Sequence, residues 1–189
     1  MMSFKLMHFS QENTDRVLSW RNSERIRLNM VDDSVIELSA HKQFLSCLEA
    51  NCSAAYYVVE YNGTSVGTIY FTGLGSGKVT WGCYIGSEKI IPGLFVALLV
   101  IAAKYSFSLP TTRILRSEVA AFNINPIKLN RFLGIPETSR FIRSTKTGSE
   151  VEFIEYCLAS DQHNIIINKA EKVMPGSVKK SCQEFILEK

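Results

Sequence analysis

The chain has 189 residues, 46% of them hydrophobic and 21% charged, which indicates a globular domain with a filled core and excludes a disordered or coiled-coil protein. Lys and Arg number 21 against 18 Asp and Glu, a formal charge of +3, and the basic residues do not cluster, so no nucleic-acid partner is expected. Only residues 161–189 change in character: rich in Asn, Lys and Glu, they read as an appendage to a domain of residues 1–160, a tail either helical or disordered.

Five cysteines (Cys47, Cys52, Cys83, Cys157, Cys182) form an odd set without a C-x-x-C pair, and His8, His41 and His163 lie far apart, so no metal site is expected. Free thiols fit a reducing, cytoplasmic setting. Met1 to Gln11 has no cationic start followed by an apolar run, so no secretory leader is expected. The uncharged run Ile90–Ala103, bracketed by Lys89 and Lys104, would span about 21 Å as a helix, short of the roughly 30 Å of a bilayer core. It predicts a helix buried against a sheet, and no membrane contact.

In chain order, Asp15 to Asn29 predicts a broken amphipathic helix pair, with Asn13 or Thr14 able to cap it. Ser39 to Ala50 predicts a second helix, with Ser39 as N-cap and Phe44, Leu45 and Leu48 on its apolar stripe. The period then changes to two. Ala55–Tyr61 and Ser65–Thr72 read as a hairpin about Asn62-Gly63, and Lys78–Ile85 as the third strand of the meander. Pro92-Gly93 opens the buried helix. Arg113–Ala121 reads as a strand, Asn125–Leu133 as a short helix stopping at Gly134, and Ser139–Ser144 with Glu150–Ala159 as a closing hairpin turning at Thr147-Gly148. This order predicts an α+β fold built on a single mixed β-sheet flanked by helices.

A strand, a loop ending in Pro92-Gly93, a helix and a second strand make a βαβ crossover. Such a unit sets a helix N-terminus beside the end of the first strand, where free amides and the helix dipole favour phosphate or pyrophosphate. Pro92-Gly93-Leu94-Phe95-Val96-Ala97-Leu98-Leu99 resembles the pyrophosphate loop and following helix of the GNAT N-acetyltransferases, P-G-L-G-S-A-L-L. Phe95 stands where that pattern has its second glycine, and Val96 where it has a small residue. The resemblance implies a GNAT domain with acetyl-CoA as co-substrate. Its pyrophosphate would lie on Gly93, Leu94 and Phe95, its pantetheine arm along Gly82, Cys83, Tyr84 and Ile85, with Asn123 and Asn130 on the same side.

Trp20-Arg21-Asn22, Ile26-Arg27, Met30, Ile36, His41 and Phe44 resemble more narrowly the N-acetyltransferase family of the pseudaminic acid pathway, as do Trp81-Gly82-x-Tyr84-Ile85 and Glu118-Val119 with Asn123. In that family the substrate is a UDP-linked 4-amino-4,6-dideoxy-N-acetyl-altrosamine, acetylated on its 4-amine on the way to the nonulosonic acid that decorates flagellin. The resemblance implies Arg21, Asn22, Arg27, Met30, His41 and Trp81 as the substrate side. An arginine fork suits diphosphate oxygens, and amide or imidazole groups suit sugar hydroxyls.

Catalysis in this family is direct attack of the free amine on the thioester. Glu118, on the strand facing the Gly82–Ile85 edge, is the candidate base, and amides along that edge could polarise the carbonyl. Asn130 stands where many relatives carry a tyrosine acid, so no acid is assigned. Cys83 has no histidine partner and reads as a small sheet residue, not a nucleophile. Two other readings stand beside this one: a ribosomal-protein type N-terminal acetyltransferase, and a GNAT-like binding protein without catalysis, suggested by Phe95 and Asn130. The sequence leaves the oligomeric state open, a homodimer included.

Overall fold

Side-chain alternation builds the sheet. The computed structural model describes residues 3–145 and 148–188. In it Phe4–His8 (β1), Ala54–Tyr61 (β2), Thr64–Thr72 (β3) and Lys78–Ile85 (β4) pair antiparallel in succession. Ile114–Ala120 (β5) lies parallel to β4, Glu137–Ser144 (β6) and Glu150–Ala159 (β7) form the closing hairpin, and Ile186–Leu187 (β8) runs parallel to β1. The result is one mixed sheet of eight strands, in the order β6-β7-β5-β4-β3-β2-β1-β8, as the α+β expectation requires. The expected turn residue Thr147 lies outside the described residues.

Thr14–Asn22 (α1) and Glu24–Arg27 (α2) are the broken helix pair, and Leu38–Glu49 (α3) follows. α3 begins with Glu37, not Ser39, in the N-cap position, and no side chain caps it. Phe44 on α3 meets Tyr56 edge to face at 5.1 Å, so α3 covers the sheet face opposite the one that carries Tyr57. β1 has no counterpart among the expected elements. Its inward residues Phe4 and Leu6 are fully buried, but five residues with Lys5 and His8 among them give too short an alternation to stand out.

The apolar run becomes Leu94–Ser108 (α4), beginning four residues after Ile90, which is 89% exposed. Gly93 sets the start with φ 80, a left-handed backbone that glycine adopts without strain, and an added Cβ would lie 2.7 Å from Pro175 Cδ. Leu109 ends the helix because the residue before Pro110 is held extended. Leu94 and every residue from Ala97 to Ala103 are buried, so α4 is apolar around its whole circumference and needs cover on two sides.

The sheet supplies one cover, through Ile69, Phe71, Val79 and Leu115. The segment that composition marks as an appendage supplies the other. Beyond Ile124–Leu133 (α5), the helices His163–Glu171 (α6) and Gly176–Gln183 (α7) pack on α4, bringing Ile166, Ile167, Ala170, Met174, Val178 and Cys182 into the core. Lys104 Nζ donates to the Cys182 carbonyl at 3.2 Å, and Lys5 pairs with Glu188 at 2.7 Å beside β8. Composition alone does not show this packing, because the polar residues of the segment face outward while a few spaced apolar ones enter the core. Truncating Met174 to Ala is expected to lower the unfolding free energy by about 2–3 kcal/mol, read from urea denaturation followed by tryptophan fluorescence.

Candidate active site

β4 and β5 share the pairs Lys78↔Ile114, Val79↔Leu115 and Thr80↔Arg116, and then separate. β4 follows β3 as far as Gly67↔Ile85, while β5 follows β7 as far as Ala120↔Phe153. From Trp81 to Ile85 the edge of β4 therefore has no strand partner among the described residues. A cleft of about 560 Å³ opens in this seam, between the start of α4 and α5 on one side and α2 with β6 and β7 on the other.

Of the sequence-derived candidates, Met30, Trp81, Gly82, Cys83, Tyr84, Ile85, Phe95, Glu118, Asn123 and Asn130 line the cleft. Leu94 lines a shallower neighbouring depression over residues 85–91, and Gly93 is turned toward Pro175 and Met174. Alternation puts Trp81 and Tyr84 on opposite faces: Trp81 is 8% exposed and belongs to the α4 core, so its role is packing first. Gly82 is glycine because Tyr70 lies directly over it, where any Cβ would meet the phenol. Burial pushes the Tyr70 and Tyr84 phenols and the Cys83 thiol up to about 12, so Cys83 stays protonated and unreactive.

Arg21, Asn22, Arg27 and His41, expected on the substrate side, do not line the cleft. Arg21 donates to the Asp32 carbonyl, Arg27 to the Asp33 carbonyl, and Asn22 bonds both the amide and the carbonyl of Ile36 at 2.8 and 2.9 Å. These three side chains staple the long α2–α3 connection to α1 and α2. His41 is buried on α3, stacked on Phe44 with ring centroids 6.2 Å apart, and its Nε2 has no hydrogen-bond partner.

Glu118 projects into the cleft with a side chain 13% exposed, and both oxygens are engaged: Oε1 with Arg116 at 3.2 Å, Oε2 with Arg143 at 2.6 Å. Arg116 also holds Glu155 at 3.1 Å and the Thr80 hydroxyl at 2.8 Å, tying β5 to β4 where the seam opens. Arg25, Tyr70, Arg143 and Phe153 line the cleft without having been singled out in the sequence. Arg25 clamps the end of β4, donating to the carbonyls of Ile85 and Gly86 at 3.1 and 3.0 Å. The alternation Phe141-x-Arg143 was a usable signal, since it puts both side chains on one face of β6. Among the described residues no group of three His, Cys, Asp or Glu could hold a metal ion, and no helix is long and apolar enough to cross a membrane.

No family model and no curated protein matches the chain in sequence. Solved structures do match it in shape. Spermidine N-acetyltransferase from Vibrio cholerae, in complex with CoA and spermine, superposes with a TM-score of 0.77 at 13% identity, over 86% of this chain and 98% of that one. RimJ from Mycobacterium smegmatis, in complex with CoA-disulfide, gives 0.71 at 12% identity over 88% and 91%. AAC(6')-Ib, in complex with ribostamycin and coenzyme A, gives 0.69 at 16% identity over 86% and 96%. The fold is that of the GNAT N-acetyltransferases. In this GNAT-fold chain the seam between β4 and β5 is the feature that the topology dictates, and the residues lining it are the chain's own.

Burial lowers the His41 pKa in the folded protein. The unfolded chain therefore binds the proton first, so the stability contributed by neutral His41 is complete above about pH 6.5 and is lost as pH falls below it. His41→Phe is expected to flatten the fall in urea midpoint between pH 7.5 and 5.5; an unchanged slope would remove His41 as its cause.

Proposed function

We propose that the chain is an acetyl-CoA-dependent N-acetyltransferase whose acceptor is the 4-amino group of a UDP-linked amino-deoxy sugar, in the nonulosonic (pseudaminic) acid biosynthesis that serves flagellin glycosylation. The observation that carries the reading is the open seam. A strand edge without a strand partner among the described residues, Trp81–Ile85, leads to the first turn of α4, where the Leu94 amide donates to the Ile91 carbonyl at 3.1 Å and the amides of Phe95 and Val96 lack intrahelical partners. Such an edge suits an amide-bearing pantetheine arm, and such a helix start suits its pyrophosphate. Gly82, Cys83, Tyr84 and Ile85 would hold the arm, with Leu94, Phe95, Asn123 and Asn130 about its two ends. Phe95 replaces the close backbone approach of a glycine with an aromatic side chain facing the cleft.

The acceptor's nitrogen attacks the thioester carbonyl, a C–N bond forms and the C–S bond breaks. The nitrogen gives up its proton to Glu118 through water; each Glu118 oxygen keeps a second lone pair beside its ion pair. Asn130 offers only an amide hydrogen bond to sulfur, so the proton taken up by Glu118 returns through water to the thiolate, which leaves as the thiol with Glu118 ionised again.

Charge separates this acceptor from a polyamine. Among the described lining residues the cleft has two arginines, Arg25 and Arg143, and one carboxylate, Glu118, already doubly paired. A polycation would find no free acid there, whereas an anionic acceptor finds complementary charge.

Acetyl-CoA at saturation is expected to raise the melting temperature, and a protein without that shift would lose the enzyme reading. With acetyl-CoA and the UDP-4-amino sugar, free thiol should appear, and Glu118→Gln should slow it by well over tenfold while preserving the acetyl-CoA shift. Turnover of peptide N-termini in place of the sugar would move the chain to the protein-acetylating reading.

A further inference from the structure

We infer that Arg143 is the phosphate-binding residue of the acceptor half of the cleft, holding a nucleoside diphosphate through the free side of its guanidinium. This rests on the acetyltransferase reading for the identity of the acceptor, but the binding site itself is argued from the side chains alone.

The register Phe141↔Phe153 and Glu118↔Glu155 puts Phe141, Arg143, Phe153, Glu155 and Glu118 on one face of the sheet, because paired residues and those two apart share a face. There the guanidinium of Arg143 lies 4.8 Å from the Phe141 ring centre and 5.2 Å from that of Phe153, and the two rings are themselves stacked at 5.9 Å. Nη2 is held by Glu118 at 2.6 Å. Two rings and a carboxylate thus fix a long, entropy-rich side chain in one place on an edge strand. With the side chain 41% exposed, the ion pair contributes little to stability, so the arrangement is better explained by recognition than by folding.

The other arginines near the seam are committed elsewhere. Arg116 spans Thr80, Glu155 and Glu118, Arg25 donates to two main-chain carbonyls, and Arg21 and Arg27 each donate to a carbonyl of their own connection and lie outside the lining of the cleft. Arg143 spends one nitrogen on Glu118, and a guanidinium carries five donors in a planar fork suited to phosphate oxygens. Around it, among the described residues, the ion pairs join three cations, Lys78, Arg116 and Arg143, to two carboxylates, Glu118 and Glu155, an excess of one positive charge that an anion would balance. The fork, rigid and facing solvent inside the cleft, therefore suits the diphosphate of a nucleotide-linked acceptor.

The test compares wild type, Arg143→Met and Arg143→Lys by calorimetric titration with UDP, and by kinetics on the UDP-4-amino sugar and on the same amino sugar freed of UDP. Arg143→Met should weaken UDP binding at least tenfold, and Arg143→Lys by several-fold because it keeps the charge but not the fork. The kcat/KM for the UDP-linked acceptor should fall at least tenfold more than that for the free sugar, mostly through KM. Stabilisation by acetyl-CoA, measured on each variant, reports that the fold is intact. Wild-type protein that binds no UDP, variants that bind it as wild type does, or equal losses on both acceptors would overturn the assignment. Wild-type protein that binds UDP through Arg143 but transfers no acetyl group would leave the site standing and sink the enzyme reading.

Discussion

The structure turns on one helix that cannot tolerate water on any side. α4 buries Leu94 and the continuous stretch Ala97–Ala103, and a buried Leu or Ile contributes about 1.5–3 kcal/mol over its exposed state. One face of the sheet is not enough to cover such a cylinder. The chain answers by returning after β7, laying α6 and α7 over the far side of α4, and finishing beside β1 as β8. Gly93 is where these demands meet, since the left-handed turn that starts α4 is also the surface on which Met174 and Pro175 sit.

With α4 held, the seam follows. A crossover from β4 through α4 to β5 brings two parallel strands side by side, but each is bound more extensively to its antiparallel neighbour, β4 to β3 and β5 to β7. Beyond Thr80 and Arg116 the two neighbours diverge and the strands go with them. Arg116 marks the branch point, bonded to Thr80 on one strand and to Glu155 on the other side of β5. The cleft is thus a consequence of pairing, and its chemistry comes from what alternation sends into it: Tyr70 over Gly82, Glu118 between two guanidiniums, and Arg143 against two phenylalanine rings.

Much of the fold was legible in the residues. The bounds of β4 and β7 follow from their period-two patterns, the hairpin from Asn62-Gly63, and α5 from its stop at Gly134. The Gly82–Ile85 edge and Glu118, which the resemblance had singled out, line the cleft. The four polar residues Arg21, Asn22, Arg27 and His41 lie outside the lining of the cleft. Nothing in a sequence says whether an arginine donates to a ligand or to the carbonyl of a residue six or eleven positions away, and here Arg21 and Arg27 each donate to a carbonyl of the loop between α2 and α3. Arg143 shows the converse: a residue on an edge strand becomes part of the cleft only once β6 is known to lie beside β7, and β7 beside β5.

By itself the sequence determined the class of fold, the buried helix and the strand that would run past its start, because hydrophobic period, turn residues and the length of an apolar run are local properties. The tertiary structure alone decided that Ile166, Ile167, Ala170, Met174, Val178 and Cys182 enter the core, and which arginines reach the cleft. Both depend on neighbours distant in the chain: a polar-looking helix packs into the core only when α4 offers it an apolar face, and a guanidinium lines the cleft only where the pairing of distant strands brings it there.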